Sequence, residues 1–121
     1  MRRDGAGFPG TARLRRAADF HRVFAQGRRR ADGCFVVIAA ANGGTMPRLG
    51  LAIAKRRLGR AVDRNRIKRI VRESFRHHAA ELPAVDIVVL ARSGLAERDN
   101  ARLFDSLAGH WRRLATDATR G

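Results

Sequence analysis

A two-faced basic helix constrains this chain more than any other feature of the sequence. When residues 63–82 are projected at about 100° per residue, one side collects the apolar residues Ile67, Ile70, Val71, Phe75 and Leu82. The other side carries Asn65, Arg66, Lys68, Arg69, Arg72 and Arg76. The apolar side needs another layer to pack against, and the cations repel one another with only Glu73 to relieve them. The pattern predicts a helix from Asp63 to Leu82 with an anionic partner.

The rest of the chain divides into short elements. Helical spacing of apolar residues predicts one helix before the basic helix and one after it, at Leu14–Gln26 and Asp99–Ala115. Continuous apolar runs predict strands at Cys34–Ala41 and Val85–Ala91. Because Asn42-Gly43-Gly44 is a turn sequence, Leu49–Ala54 is predicted to be the hairpin partner of the first strand. This order of elements predicts an α+β fold, an α/β sandwich in which helices cover a sheet.

Length and charge restrict the class of protein. The chain has 121 residues with Lys+Arg 26 against Asp+Glu 11, a formal charge of +15. It is predicted to form one domain, 1–121, with flexible ends at 1–12 and 117–121. Since 24 of the 26 basic residues are arginine, which contacts phosphate with two prongs, nucleic acid is the favoured partner. No apolar run suits a membrane span or a signal peptide, so we expect a soluble, cytoplasmic protein with no membrane partner.

The sequence lacks the residue patterns of a catalytic or metal site. Its four histidines, His21, His77, His78 and His110, form no recognisable metal-ligand spacing, and Cys34 is a lone cysteine expected to be buried. No nucleophile elbow or phosphate-binding glycine loop is present. We therefore predict no catalytic residue, no metal site and no cofactor bound by the protein itself.

A specific resemblance lies in and before the basic helix. Three stretches closely resemble the protein component of bacterial ribonuclease P: residues 48–56, which end in Ala54-Lys55-Arg56, the link Gly59-Arg60-Ala61-Val62, and the run 64–69, Arg-Asn-Arg-Ile-Lys-Arg. The resemblance extends from Leu14 to the final helix. It implies a four-stranded sheet, the fourth strand being a short piece near Arg29–Ala31, and a left-handed crossover between parallel strands, against the general rule.

The resemblance also implies an activity and partners. In this family a catalytic RNA performs the hydrolysis with Mg²⁺, and the protein assists removal of the 5′ leader from precursor tRNA. The implied partners are the catalytic RNA and precursor tRNA, with no obligate protein partner. Two alternatives stay open from the residues alone: a ribosome-associated or RNA-chaperone protein, which copurified RNA would identify, and a DNA-binding regulator, which would need a helix-turn-helix pair.

Two sets of site residues follow. The set expected to bind the catalytic RNA comprises Arg57, Arg60, Arg64, Asn65, Arg66, Lys68, Arg69, Arg72 and Arg76. The set that the resemblance implies for the leader comprises Phe20, Arg22, Phe24, Phe35, Lys55, Arg56 and Arg92. Aromatic rings can stack on any base, although the same phenylalanines could equally fill a core. Two positions depart from the family pattern: Ala54 replaces a frequent Ser, and aliphatic Ile38 replaces a frequent aromatic, which puts base stacking there in doubt.

Overall fold

A computed structural model describes residues 12–120 of the chain, with side chains to residue 117. Its helices and strands, in chain order, are α1 Ala17–Gln26, β1 Arg28–Ala31, β2 Phe35–Ala41, β3 Arg48–Ala52, α2 Ala61–His78, β4 Val85–Ala91 and α3 Asn100–Arg120. Short 3₁₀ turns follow α2 at Ala79–Glu81 and β4 at Leu95–Glu97. No described helix is long and apolar enough to cross a membrane.

The sheet has four strands in the order β1-β2-β4-β3. The expected short strand is β1, which pairs antiparallel with β2 in the register Arg29↔Ile38. The predicted hairpin between residues 34–41 and 49–54 is wrong, because β4 lies between them, antiparallel to β2 and parallel to β3. A turn signal reports only local geometry. The apolar β4 takes a central position between β2 and β3, with α2 and α3 on one face and α1 over part of the other.

The two faces of the sheet have different coverings. On one face, Phe35 and Val89 join α2 and α3 in the main core. There Phe75 meets Trp111 edge-on at 6.0 Å between ring centroids, and the Trp111 indole N–H donates to Ser74 Oγ at 2.8 Å. Cys34 is fully buried, as predicted. This face is the hydrophobic centre of the domain.

Among the described residues, the other face is covered by α1 and by Leu14 just before it. Val23 packs there against Ile38 and Val88, in a cluster that also includes the half-buried Phe20. The Phe20 ring lies so close to Gly50 that an added Cβ would stand 2.7 Å from its Cζ, so β3 needs a glycine at this position. Because α1 is only ten residues long, residues 12–117 leave part of this face uncovered.

Several predicted boundaries need correction. The first helix begins at Ala17, not Leu14, because the Leu14 N–H donates to Leu49 O at 2.9 Å along the free edge of β3. The basic helix begins two residues early and stops at His78, since a 3₁₀ turn replaces its last predicted residues. The expected flexible ends lie outside the described residues at 1–11 and 121, but Ala12 is buried and α3 continues to Arg120. The handedness of the β3–α2–β4 crossover stays a prediction of the resemblance.

Candidate nucleic-acid interface

The solvent face of α2 presents a row of cations. We call Asn65, Arg69, Arg72 and Arg76, which recur every three or four residues, the cationic stripe. Asn65, Arg69 and Arg72 are exposed and Arg76 is half-buried. Arg69 and Arg72 form no ion pair or hydrogen bond with any residue that the structure describes. Their charges are therefore available to an external anion.

Two other arginines of the predicted set hold neighbouring loops. Arg64 donates from Nη1 to the carbonyl oxygens of Leu58 and Gly59, at 2.9 and 2.8 Å. On the opposite border of the stripe, Arg66 donates from Nη2 to Arg98 O at 2.5 Å and to Asn100 Oδ1 at 2.8 Å. Both residues are half-buried. Their contacts with carbonyl oxygens place the loops on either side of the stripe.

The remaining predicted cations around α2 differ in position. Lys68 is half-buried on the Arg64 side of the helix. Arg60 is exposed just before α2, with its Nε 4.0 Å from Asp63 Oδ2. Arg57 donates from Nη1 to Ser93 Oγ at 3.0 Å, which brings it to the sheet rather than to the stripe.

A basic groove lies over the part of the sheet that α1 leaves uncovered. This sheet groove has a volume of about 560 Å³ and is lined by Arg29, Gly33, Val36, Ala52, Ala54, Arg56, Arg57, Leu90, Ala91, Arg92 and Ser93. Its floor is apolar and four arginines stand among its lining residues, with no carboxylate. An apolar floor between cationic walls fits a single strand of nucleic acid, whose bases are flat and whose backbone is anionic.

The predicted leader set is divided by the structure. Arg56 and Arg92 line the sheet groove, whereas Lys55 is exposed in the turn after β3 and does not line it. Phe24 is 47% exposed. Together with Phe20 it lines a second concavity, of about 690 Å³, along α1. Phe20 packs against the same buried cluster as Val36 and Leu90, which line the sheet groove.

Two positions on the sheet are closed to a ligand. Phe35 is fully buried on the face toward α2 and α3, so its place in the leader set is wrong. Strand alternation explains the error, because odd-numbered residues of β2 point away from α1. Ile38 points toward α1 but is 1% exposed beneath it. The helix, rather than a base, occupies that position.

Arg22 contacts a buried carboxylate instead of an open groove. Asp86, fully buried at the start of β4, accepts hydrogen bonds from Arg22 and from two nitrogens of Arg48, the latter at 2.8 and 2.7 Å. Arg22 also donates to Ala41 O at 2.9 Å, and Asn42 Nδ2 donates to Asp86 Oδ1 at 3.1 Å. The assignment of Arg22 to a leader phosphate is therefore corrected to a contact that fastens α1 to the sheet.

The charge of Asp86 is stabilised by these partners. Burial raises the pKa of Asp86, but the hydrogen bonds from Arg48 and Asn42 and the charges of Arg48 and Arg22 outweigh burial and hold the pKa below its usual value. The same contacts raise the pKa of Arg48 further above its usual value. Asp86 is thus an anion at neutral pH.

Sequence reasoning missed Asp86 and Arg29 and assigned Arg57 to the other surface. Asp86 had a visible signal, a single carboxylate at the start of an otherwise apolar strand, which only a buried partner explains. Arg29 had no such signal, because β1 is too short to show which residues alternate between the two faces of the sheet. Arg57 was assigned to the catalytic RNA, and its place in the sheet groove depends on how the loop after β3 folds back.

Comparison with known proteins gives a consistent result. Residues 8–115 match the family model described as Ribonuclease P. The "Ribonuclease P protein component" of Chromohalobacter salexigens is 49% identical over 112 residues, which is 92% of this chain and 88% of that protein. The protein of the same name from Thioalkalivibrio sulfidiphilus is 46% identical, over 91% of this chain and 92% of its own length.

Solved structures resemble the fold as well as the sequence. The ribonuclease P protein of Staphylococcus aureus superposes with a TM-score of 0.78 at 36% identity, over 86% of this chain and 94% of that one. The corresponding protein of Thermotoga maritima superposes with a TM-score of 0.76 at 34% identity, over 84% of this chain and 96% of that one.

Proposed function

The chain belongs to the ribonuclease P protein family, and from that membership we propose that its two basic surfaces have separate tasks, one on each RNA of the reaction. Members of this family are the protein subunit of the ribonucleoprotein that processes tRNA 5′ ends, and its RNA is the catalyst. The partner implied by the family is therefore the ribonuclease P RNA. Family membership also removes the RNA-chaperone and DNA-regulator alternatives.

The cationic stripe is the surface that we assign to the catalytic RNA. The observation that carries this proposal is that Arg69 and Arg72 are exposed on a rigid helix without a partner among the described residues. Arg64 and Arg66 act on the same surface mainly as positioning residues, since their guanidinium groups hold the loops at 58–59 and 98–100. A row of exposed guanidinium groups on one helix face suits the phosphates of a folded RNA, since each group can contact a phosphate through two N–H donors.

The sheet groove, together with Phe24 and Phe20 on α1, is the surface that we assign to the 5′ leader of precursor tRNA. Phosphates of the single-stranded leader would pair with Arg29, Arg56 and Arg92, while bases would lie on the apolar floor and against the exposed ring of Phe24. Mature tRNA has no leader. A holoenzyme affinity for precursor tRNA that exceeds its affinity for mature tRNA is the measurement that tests this assignment.

Mg²⁺ belongs, in this proposal, to the RNA-protein holoenzyme and not to the protein alone. Described residues contain no group of three or more His, Cys, Asp or Glu side chains able to hold a metal ion. RNA-free protein is expected not to cleave precursor tRNA at any Mg²⁺ concentration, and the reconstituted holoenzyme to cleave it only with Mg²⁺. Metal-dependent cleavage by RNA-free protein would contradict the proposal.

The compartment that we propose for this protein is the cytoplasm.

Docking through the cationic stripe predicts a specific salt dependence. Arg69→Ala/Arg72→Ala is expected to weaken binding to the catalytic RNA. It should also reduce the slope of log K against log salt by about 1 to 2, because the RNA releases about 0.7 to 0.9 fewer counterions for each phosphate contact that is lost. Arg112→Ala/Arg113→Ala removes the same charge from exposed positions on α3 and should leave the slope unchanged. Equal slopes for the wild type and the stripe variant would mean that the cationic stripe does not contact the catalytic RNA.

A further inference from the structure

A second basic groove runs along the other side of β1, between that strand and α3. This edge groove consists of two adjoining concavities, of about 310 and 600 Å³, which share Arg30, Gly109 and Arg113. Arg102 and His110 also line the first concavity. Neither the cationic stripe nor the sheet groove includes any of these five residues, so the functions assigned above leave the edge groove unexplained.

Two buried nitrogen atoms in the edge groove have no hydrogen-bond partner. They are Arg30 Nε and His110 Nε2, and no other buried side-chain nitrogen or oxygen of the described residues lacks a partner. His110 is 5% exposed, and its Nε2 lies 3.4 Å from Asp32 Oδ1 without forming a hydrogen bond. A buried polar group without a partner is costly. Both residues line the groove, so its wall contains polar atoms that the described residues leave without a hydrogen-bond partner.

The carboxylates near the groove are already engaged. Asp32 accepts from the N–H groups of Cys34 and Phe35, both at 2.9 Å, and from Ser106 Oγ at 2.5 Å. Asp117 pairs with Arg30 at 2.5 Å and lies 3.8 Å from Arg28.

Three arginines of α3, by contrast, have no side-chain partner among the residues with described side chains. Arg102, Arg112 and Arg113 are exposed and make no ion pair or hydrogen bond through their side chains within residues 12–117, and the exposed Asp105 is likewise unpaired. The unpaired charge is therefore net positive, which selects an anionic occupant.

Gly109 is a further sign of an occupant. It lies in the interior of α3, where glycine is disfavoured. Among the described residues, a Cβ built at this position would meet only Arg112 Nη2, at 3.9 Å, so packing against that part of the chain does not require glycine here. Close approach of a ligand to the helix backbone is a common reason for such a glycine.

The edge groove and the sheet groove meet at the turn between β1 and β2. Gly33 lines the sheet groove, whereas Ala31 and Asp32 line the edge groove. Arg102 Nη2 would stand 3.9 Å from a Cβ on Gly33, so this guanidinium lies at the junction. Arg29 and Arg30, consecutive on an edge strand, face the two grooves in turn, as strand alternation requires.

We propose that the edge groove binds phosphates of the distal 5′ leader, after the strand leaves the sheet groove and turns around β1. The inference rests on the proposed leader function of the sheet groove. Specifically, we propose that the exposed Arg102 and Arg113 extend the binding site for leaders that are long enough to reach them. Concavities of this size admit a single strand rather than a duplex, which favours the leader over a helical segment of the catalytic RNA.

The test compares leaders of different length on the reconstituted holoenzyme. Arg102→Ala/Arg113→Ala is expected to weaken binding of precursor tRNA with a leader of about 15 nucleotides by about 5- to 10-fold. Its affinities for precursor with a leader of about 5 nucleotides, for mature tRNA and for the catalytic RNA should not change. Arg16→Ala/Arg98→Ala, which removes two exposed arginines elsewhere, is the matched control.

A second variant separates binding from folding. Gly109→Gln places a neutral side chain in the groove at a position where the added Cβ meets no close contact, and it replaces a poor helix former with a better one. We expect an unchanged or higher Tm together with the same selective loss for the long leader. A lowered Tm with equal loss for all ligands would mean that Gly109 serves the fold, and would overturn its role in binding.

Three outcomes overturn or separate the proposals. If Arg102→Ala/Arg113→Ala weakens binding to the catalytic RNA itself, the occupant is that RNA and the leader assignment is overturned. If it changes no affinity, the edge groove is not an RNA site. Arg56→Ala/Arg92→Ala in the sheet groove should weaken both leader lengths, so a failure confined to the edge groove is distinguishable from failure of the leader function as a whole.

Discussion

Phe35→Ala is expected to lower the free energy of unfolding by about 3 to 5 kcal/mol, because it opens a cavity in a core where the ring is fully buried. Phe24→Ala is expected to behave in the opposite way. Its ring is 47% exposed, so stability should change little. The holoenzyme should instead lose about 1 to 3 kcal/mol of affinity for precursor tRNA, the usual contribution of one stacked base.

Two measurements on each variant separate the roles of these phenylalanines. Chemical denaturation reports stability, and paired affinities for precursor and mature tRNA report leader contact. Mature tRNA is the internal control because it lacks the leader. If Phe24→Ala loses several kcal/mol of folding stability, or lowers the affinities for precursor and mature tRNA equally, Phe24 is a core residue and does not contact the leader. A Phe35→Ala variant of normal stability would contradict the packing described here.

Asp86→Asn is expected to cost about 3 kcal/mol of folding free energy. Removing one partner of a buried ion pair usually costs about 3 to 5 kcal/mol. The lower end applies because the side chains of Arg22 and Arg48 are 28% and 32% exposed and can regain some hydration. The substitution keeps the shape of the side chain, so the loss reports charge and hydrogen bonding. Denaturation at neutral pH measures it, and a loss below about 1 kcal/mol, the usual value of an exposed pair, would contradict the buried pairing.

The same carboxylate determines how stability depends on pH. Because the folded pKa of Asp86 is lowered, its stabilisation is complete above the unfolded-state pKa of about 3.9 and is lost as pH falls through the lower folded value. Asp32 acts in the same direction. Burial raises its pKa, but hydrogen bonds from Ser106 and from the Phe35 and Cys34 N–H groups, with the charge of His110, lower it to about 2.

Stability should therefore be insensitive to these two groups from neutral pH to about pH 4 and should fall below that value. In Asp86→Asn only Asp32 of these two carboxylates remains. The decline of the free energy of unfolding below about pH 4 should therefore be shallower than in the wild type. Denaturant midpoints across an acid pH series check this expectation. Identical acid slopes in the two proteins would mean that Asp86 is not held as a paired anion.

Local pattern was sufficient for most of the secondary structure. The basic helix, the apolar strands at 35–41 and 85–91 and the final helix were all predictable, because each carries its own periodicity or apolar run. Predictions failed where a distant element competes. The Leu49–Ala54 segment pairs with β4 rather than with the preceding strand, and Leu14 pairs with Leu49 instead of extending α1.

The same division holds for the candidate site. The stripe residues Asn65, Arg69 and Arg72 are exposed where the helical projection put them. Arg22, by contrast, contacts Asp86, sixty-four residues away along the chain, and neither residue type identifies the other in advance. Phe35 could be assigned to the core only once the side of the sheet that it faces was known.

By itself, the sequence determined the amphipathic helix, the excess of arginine, the family resemblance and the lack of a recognisable catalytic constellation, since these depend on residue type and on spacing within about twenty positions. Only the tertiary structure decided which arginines remain free, which phenylalanine is exposed, and that two grooves meet around β1. The physical reason is that exposure and charge pairing depend on which distant segments come together. That choice is made by burying apolar surface across the whole sheet, not by any one stretch of chain.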